Sequence, residues 1–438
     1  MNDDIILLEP FFRRLGQLSL WHSTGRVTKS VGFLVESDGP CCSVGECCDV
    51  IGADGVAHPG EVVGFRGRTV LSMPLDRPSG IQFGDRVIAH GIRPALPVSG
   101  DLLGRVIDAT GTPLDSLGGY RAPTLQPVHG TPPQPLERTP IREALGCGLR
   151  AIDGMLTCGR GQRVGIFGGS GVGKSTLIGM MARGTAADLT VVALVGERGR
   201  EVREFLEEAL GEEGRKRSVV VVATSDQSPL LRLRAAFAAT AVAEYFAARN
   251  RHVLLVIDSL TRVAMAQREI GLAAGEPPTA KGYTPSVFSL LAQLVERAGY
   301  FGSGSITAFY SLLMEGDDQQ DPLVDSVRAL LDGHIVLDRR LSARNHYPPI
   351  SVLDSLSRLL PAVCTRDHLD KIQSFRHLMA SYAASEDLIR VGAYQKGTDP
   401  VLDKALETLP ALQTFLQQRK DEKSIFEETR ARLLSLPS

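Results

Sequence analysis

The chain has 438 residues, and its 48 lysines and arginines nearly balance 50 aspartates and glutamates, which leaves a formal net charge of −2. That length suffices for about two to four domains, and a share of 43% hydrophobic and 22% charged residues excludes wholesale disorder. Because a near-neutral chain lacks the general electrostatic attraction of strongly basic proteins for nucleic acid, we expect no nucleic-acid partner.

The N-terminal segment, residues 1–20, is acidic at its start and contains no apolar run longer than four residues. It does not have the pattern of a secretory signal, and no part of the chain approaches the ~18 apolar residues of a transmembrane helix. We therefore expect a cytoplasmic protein. Ile5, Leu8, Phe12 and Leu15 fall on one face of a predicted helix, which either docks on the rest of the chain or binds a partner.

Four of the seven cysteines are clustered as Cys41, Cys42, Cys47 and Cys48. A metal site is one interpretation, but structural zinc ligands usually occur as two separated C-x2-4-C pairs. Adjacent residues of a strand point to opposite faces, so four such thiols do not converge easily. We favour a β-hairpin in which cysteine serves as a small hydrophobic residue.

The remainder of the chain divides into four segments by pattern. Residues 21–93 contain short strand patterns separated by glycine, which predict a small β-barrel or sandwich. A proline-rich linker, residues 94–140, precedes residues 141–364, where buried-type strands alternate with amphipathic helices. This alternation predicts an α/β domain with a mostly parallel sheet. Residues 365–438 show only helix patterns.

A glycine-rich loop with the pattern G-x-x-x-x-G-K-[ST] lies between the strand pattern RVGIF and the helix pattern STLIGMMAR. This context is typical of a phosphate-binding loop, in which backbone N–H groups and the helix N-terminus face a polyphosphate. Lys174 would reach the β- and γ-phosphates of ATP, and Ser175 would bind Mg²⁺. The predicted nucleotide-binding residues here are Gly168, Gly169, Ser170, Gly171, Val172, Gly173, Lys174, Ser175 and Thr176.

Two other predicted strands end in carboxylates. Asp258 ends VLLVID and suits the acid that holds Mg²⁺, most often through a coordinated water. Glu197 follows TVVALVG, where a carboxylate beside Mg-ATP would orient the attacking water. The neighbouring Arg198 either joins the site or belongs to a solvated run of charges.

The sequence resembles the rotary-ATPase catalytic family, and within it the export ATPases of flagellar and type III secretion systems. The motifs that carry the resemblance are GGSGVGKS, GERGREVREF, VLLVIDSLTRVAMAQREI, GSITAFY, LDGHIVLDRRL, HYPPI and SLSR. LLGRVIDATGTPLD and VGAYQKGTDPVLDKAL extend it over nearly the whole chain. The resemblance implies a small N-terminal β-barrel, a central RecA-like ATPase domain and a helical C-terminal domain. EGDDQQDP and KGTDPVLDKA are more similar to the flagellar branch than to the virulence branch.

The resemblance also implies roles for single residues. Glu197 corresponds to the catalytic carboxylate, with Arg198 beside it, and Asp258 to the Walker B acid. Arg358 in SLSR corresponds to an arginine finger that reaches into the site of an adjacent subunit.

Further implied positions and partners follow from the same resemblance. Tyr347 would lie near the adenine, Arg297 near the phosphates, and the acidic loop 315–321 would face a central stalk protein. The implied active form is a homohexamer that hydrolyses Mg-ATP at the inner-membrane export apparatus. Its implied partners are a stator-like negative regulator at the N-terminal helix, a membrane export gate, exported proteins and their chaperones.

Two functions of other classes also fit the phosphate loop. A hexameric RNA translocase combines a small β-domain with the same ATPase core. However, Phe33, Phe65 and Phe83 are the only aromatic residues between 22 and 93, and they do not form the basic-aromatic pattern that is typical of base stacking. A structural ring component would bind nucleotide only to assemble. RNA-stimulated ATPase activity favours the first alternative, and absence of turnover at any protein concentration favours the second.

Overall fold

The structure is a computed structural model that describes residues 23–314 and 321–437. The helix predicted in residues 1–20 and nearly all of the predicted stalk-facing loop 315–321 lie outside these residues. Within the described ranges, none of the helices has the length and apolar character needed to cross a membrane.

Antiparallel strands form a closed six-stranded barrel at the N-terminal end of the described chain. Alternate residues point inward, and the fully buried Val35, Val50 and Val87 are among those that fill the barrel interior. The strands are β1 (Ser23–Val31), β2 (Leu34–Asp38), β3 (Cys47–Ile51), β4 (Ala57–Arg66), β5 (Thr69–Pro74) and β6 (Arg86–Ala89). Around the barrel their order is β1-β2-β5-β4-β3-β6.

The cysteine cluster does not form the predicted hairpin. Cys41 and Cys42 lie in the connection between β2 and β3, which are not neighbours in the barrel. Cys48 on β3 is only 1% exposed and serves as the small hydrophobic residue that the pattern predicted. Among the described residues, no group of three or more histidine, cysteine, aspartate or glutamate side chains is arranged to hold a metal ion.

The central domain is built on a nine-stranded, mostly parallel sheet, which confirms the predicted α/β class. The chain after the barrel contributes the strands β7 (Ala95–Val98), β8 (Val106–Asp108), β9 (Thr124–Pro127), β10 (Ala144–Leu145), β11 (Cys158–Gly159), β12 (Arg163–Gly168), β13 (Leu189–Glu197), β14 (Ser218–Thr224), β15 (His252–Asp258), β16 (Gly299–Tyr300), β17 (Ser305–Leu313), β18 (Gly333–Leu337) and β19 (Ile350–Ser357). The sheet has the order β19-β18-β12-β17-β15-β13-β14-β8, and β16 pairs with β17. Only β19 and β16 run antiparallel to their neighbours.

Helices cover both faces of this sheet, and each face has its own hydrophobic core. A π-helical segment, Phe205–Leu210, interrupts the helical stretch that follows Glu197. The helices of this domain are α1 (Arg150–Met155), α2 (Lys174–Gly184), α3 (Gly199–Glu204), α4 (Gly211–Lys216), α5 (Pro229–Ala247), α6 (Leu260–Ala274), α7 (Pro285–Val295), α8 (Pro322–Leu330), α9 (Arg339–Ala343) and α10 (Leu360–Val363).

The C-terminal region is helical, as predicted, and consists of α11 (Arg366–Arg390), α12 (Pro400–Leu416) and α13 (Phe426–Ser435). Each of these helices buries apolar side chains, among them Phe375, Phe415 and Leu433, in the same core as the α2 face of the sheet. Helices α12 and α13 pack against α1, and α11 packs against β19.

Candidate active site

One edge of the central sheet collects the side chains that the sequence singled out. β12, β13 and β15 belong to one parallel sheet, so their carboxyl ends meet at one edge. Gly168, Glu197 and Asp258 are the last residues of these strands. A cavity of about 500 Å³ opens at this edge. Its lining includes the predicted site residues Ser170, Gly171, Gly173, Lys174, Ser175, Thr176, Glu197, Arg198 and Asp258.

The glycine-rich loop has a backbone conformation that other residues adopt with difficulty. Gly171 and Gly173 have φ values of 78° and 95°, in the left-handed region that glycine tolerates best. Gly173 caps α2, whose first N–H groups have no carbonyl partner within the helix. Val172 is 2% exposed and its side chain belongs to the core, so only its backbone is available to a ligand. The loop is shaped for an anion.

Lys174 is held within the loop by the loop's own carbonyl groups. Its ammonium group donates hydrogen bonds to the oxygens of Gly168 at 2.9 Å and Gly169 at 3.3 Å. Burial lowers the pKa of Lys174 to about 8, although the nearby charges of Asp258 and Glu197 oppose that shift. A polyphosphate would return the negative charge that favours the protonated lysine.

Glu197 lies at an irregular strand end that directs it toward the cavity. The pairing of β13 with β14 shifts register between Val195 and Glu197, and Gly196 between them has a φ of 70°. Burial raises the pKa of Glu197 to about 8, and a hydrogen bond with Glu201 and the charge of Asp258 contribute to the increase. The same hydrogen bond lowers the pKa of Glu201. Glu197 thus has the raised pKa of a candidate proton acceptor.

Asp258 is only 5% exposed. The Ser311 hydroxyl donates a hydrogen bond to its Oδ1 at 2.5 Å. Burial raises the pKa of Asp258, while Ser311, Lys174 and Arg262 act in the opposite direction. The carboxylate is therefore positioned by a neighbouring strand, β17, and compensated by cations across the cavity.

Arg262 is a site residue that the sequence analysis missed. It lies in the first turn of α6, lines the cavity, and its charge acts on Lys174, Glu197 and Asp258. Its Nε is buried and has no hydrogen-bond partner among the described residues. Arg262 follows Asp258 by four residues, which is about one helical turn past the end of β15. This spacing is the sequence signal that could have identified Arg262 as a site residue.

The oxygen donors at the phosphate loop fit a small divalent cation. Ser175 lines the cavity with a hydroxyl, and Asp258 supplies a buried carboxylate. Mg²⁺ typically takes one or two protein oxygens and completes its octahedral shell with phosphate and water oxygens. Such a site needs no cluster of three protein ligands, in agreement with the described residues.

A second cavity of about 600 Å³ adjoins the phosphate loop. It is less polar at one wall, where Leu177, Met180 and Pro348 line it, and Tyr347 is among its lining residues. The Tyr347 ring is 46% exposed, and its hydroxyl lies 3.0 Å from the Ser342 hydroxyl. The loop 417–422 of the C-terminal region also lines this cavity.

Two predicted site residues outside the glycine-rich loop, Arg358 and Arg297, do not lie at these cavities. Arg358 follows β19, is exposed, and lines neither cavity; in the described part of the chain its guanidinium forms no ion pair. Arg297 is 1% exposed and forms an ion pair with Glu244 at 2.6 Å. It also donates to the Val128 carbonyl at 2.8 Å.

The expected position of Arg297 near the phosphates is therefore wrong for the site of its own chain. Arg297 lies two residues before β16, which pairs with the first residues of β17, whereas Leu313 at the other end of β17 lines the phosphate-loop cavity. The residue lies at the opposite edge of the sheet, where it joins the proline-rich segment to α5.

Comparisons with known proteins cover nearly the whole chain. The family model described as "ATP synthase alpha/beta family, nucleotide-binding domain" matches residues 148–357, and the model described as "T3SS EscN ATPase C-terminal domain" matches residues 364–435. The chain is 52% identical over 416 residues to a protein named flagellum-specific ATP synthase of Bacillus subtilis, and the match covers 94% of each chain.

Solved structures of the assembled ATPase EscN from the type III secretion system of enteropathogenic E. coli have the same fold. One aligns with a TM-score of 0.89 at 43% identity and covers 93% of this chain and 98% of EscN. A second, of assembled EscN in complex with its central stalk EscO, aligns with a TM-score of 0.86 at 42% identity and the same coverage.

Proposed function

We propose a mechanism and an assembly for this chain from the premise that it belongs to the family of flagellar and type III secretion ATPases. The chain is an ATP hydrolase of protein export. The observation that carries the proposed site is the convergence of the glycine-rich loop, Glu197 and Asp258 on one cavity. The phosphates of ATP would occupy this cavity, and the base would occupy the adjoining one beside Tyr347. No feature of the described residues favours the RNA translocase or the structural ring component.

The proposed reaction is an in-line attack of water on the γ-phosphorus. Glu197 orients the water and accepts its proton, while the bond from the γ-phosphorus to the bridging oxygen breaks and ADP leaves. Lys174 and Arg262 lie where they would offset the charge on the γ-phosphoryl oxygens. Ser175 and Asp258 would hold Mg²⁺, which when bound neutralises phosphate charge.

Arg358 is proposed to act in the site of a neighbouring subunit. Its exposure, its absence from the lining of both cavities of its own chain and its lack of an ion pair among the described residues support this role. The assembled state of EscN supports a ring, which we propose to be a homohexamer with a central stalk protein such as the one bound to EscN. Each active site would then be incomplete until a neighbouring subunit supplies its Arg358 guanidinium.

The test is ATP hydrolysis measured against protein concentration. We expect specific activity to rise cooperatively, because assembly completes the site. Arg358→Ala should bind ADP normally and lose the concentration-dependent rise, whereas the control Arg366→Ala, at an exposed arginine of α11, should retain it. Unchanged activity of assembled Arg358→Ala would refute the finger.

We further propose that the chain belongs to the flagellar branch of the family and acts in the cytoplasm at the inner-membrane export apparatus. The 52% identity to the flagellum-specific relative of Bacillus subtilis, compared with 48% to a type 3 secretion system ATPase of Sinorhizobium fredii, supports this choice. An N-terminal regulator, an export gate, and exported proteins with their chaperones complete the proposed partners. Deletion of the gene from its own cell should abolish swimming, and restoration of motility by the wild-type chain but not by Glu197→Gln would tie the loss to turnover.

A further inference from the structure

We infer that Lys420, in the loop between α12 and α13, binds the α-phosphate of the nucleotide. The inference rests on the proposed function and adds to it a phosphate ligand contributed by the C-terminal region. It concerns a residue far in sequence from the glycine-rich loop.

The position of Lys420 follows from the way the two cavities meet. Among the described residues, only Gly173, Thr176 and Lys420 line both of them. Gly173 and Thr176 belong to the glycine-rich loop and the start of α2, so Lys420 faces them from the C-terminal region. In a nucleoside polyphosphate the α-phosphate joins the β-phosphate to the ribose. If the β- and γ-phosphates occupy one cavity and the nucleoside the other, the α-phosphate lies at this junction.

The loop that carries Lys420 is fixed by buried polar contacts. Gln418 is 4% exposed, and its backbone N–H donates to the Tyr347 carbonyl at 2.8 Å. Its side chain accepts a hydrogen bond from the Arg150 backbone N–H at 2.8 Å and donates to the Gly148 carbonyl at 2.9 Å. Arg150 is buried and forms an ion pair with Glu422 on the other side of Lys420. The loop thus has little freedom at both ends, which favours a fixed position for a ligand-binding side chain.

The backbone of Lys420 is also held, but its ammonium group is not. Arg183, in the last turn of α2, donates a hydrogen bond to the Lys420 carbonyl at 2.6 Å. The charged neighbours in the loop are paired, Arg419 with Asp421 and Lys423 with Glu213. For the Lys420 ammonium, in contrast, the described residues supply neither an ion pair nor a hydrogen bond. A lysine is a compact charge with three donors, which suits a phosphate oxygen.

The experiment compares the binding of ADP and of inorganic pyrophosphate by calorimetry. Pyrophosphate probes the cavity around Lys174, whereas ADP also places an α-phosphate and a nucleoside. We expect Lys420→Gln to weaken ADP binding about tenfold, the size expected for one partly solvated charge-assisted hydrogen bond, and to leave pyrophosphate binding within about twofold. Lys420→Arg should restore most of the ADP affinity because the charge is kept. Lys423→Gln, three residues away and outside both cavities, is the matched control and should bind both ligands like the wild type.

Three results would overturn the inference. Equal ADP affinity of Lys420→Gln and wild type would remove Lys420 from the nucleotide. If Lys420→Gln weakened the binding of ADP and of pyrophosphate equally, or if Lys423→Gln lost as much ADP affinity, the effect of Lys420 would be that of a general positive charge. In each of these cases the proposed ATPase function stands, whereas failure of the wild-type chain to bind ADP would refute both.

Discussion

Glu197 is the residue on which turnover should depend most directly. Glu197→Gln keeps the shape and hydrogen-bonding capacity of the side chain but removes the carboxylate that accepts the proton from water. We expect ATP binding to persist and phosphate release to fall by at least about 100-fold, within the range measured for a general base. The control is Glu207→Gln. Glu207 is an exposed glutamate of the π-helical segment and forms an ion pair with Arg203, so this variant should hydrolyse ATP normally. Wild-type turnover in Glu197→Gln would remove this residue from the mechanism.

The raised pKa of Glu197 also predicts how stability depends on pH. Because the pKa rises from 4.5 to about 8 on folding, the folded state holds a proton between these values that the unfolded state has released. The contribution of this group to stability therefore falls as pH rises through that window. Glu197→Gln removes the ionisation, so the nucleotide-free variant should gain thermal stability relative to wild type at about pH 8 and not at about pH 4. Thermal unfolding at both pH values tests this, and an equal difference at both would contradict it.

At the scale of single residues, the sequence predicts the site residues that a local pattern identifies. It does not predict those whose position depends on contacts between distant segments of the chain. Lys174, Ser175 and Asp258 could be identified because a short pattern or a strand end fixes their surroundings. Lys420 could not, because a basic residue after a C-terminal helix carries no local sign that it faces a cavity. Arg297 was misplaced for the same reason, since its burial against Glu244 depends on three separate segments of the chain.

At the scale of elements, helix α11 is tied to the strand that precedes Arg358. The Arg376 guanidinium donates to the carbonyls of Val352 at 2.6 Å and of Leu353 and Ser355 at 3.2 Å, all on β19. A movement of the C-terminal helices should therefore be transmitted to the end of β19. The long strands and helices were predictable from periodicity, but this side-chain connection between them was not.

Arg376→Met tests that connection, because it keeps the apolar stem and leaves the carbonyls without their donor. We expect a loss of about 1–3 kcal/mol in the free energy of unfolding, the range for unsatisfied buried polar groups. We also expect reduced turnover in the assembled state with unchanged ADP affinity, since β19 lies outside both cavities. Arg366→Met, at a fully exposed arginine of the same helix, should change neither property. Normal assembled turnover in a destabilised Arg376→Met would show that the connection only stabilises the fold.

At the scale of the whole molecule, the three parts of the chain are joined by buried polar contacts. β4 of the barrel docks on α5 through the ion pair of Glu61 with Arg234, which are 4% and 8% exposed. The C-terminal loop is held by Arg150. Composition and pattern predicted the barrel, the central domain and the helical C-terminal region. The contacts between them join charged residues that are distant in sequence, and no periodic pattern of residues indicates such contacts.

If Arg358 acts in the site of a neighbouring subunit, two inactive variants should restore activity to each other in mixed rings. Lys174→Ala should be inactive because its own site cannot hold the phosphates, and Arg358→Ala should be inactive because it supplies no finger to its neighbour. In mixed rings, an intact site forms wherever an Arg358→Ala subunit receives the finger of a Lys174→Ala subunit. For random mixing in equal amounts this occurs at about one interface in four, so up to about a quarter of wild-type activity should return. Steady-state phosphate release from the mixture measures it, with each variant alone as the control. Absence of any recovery in mixed rings verified by subunit exchange would place Arg358 in its own chain's site or outside catalysis, because a finger that acts across the boundary must complement.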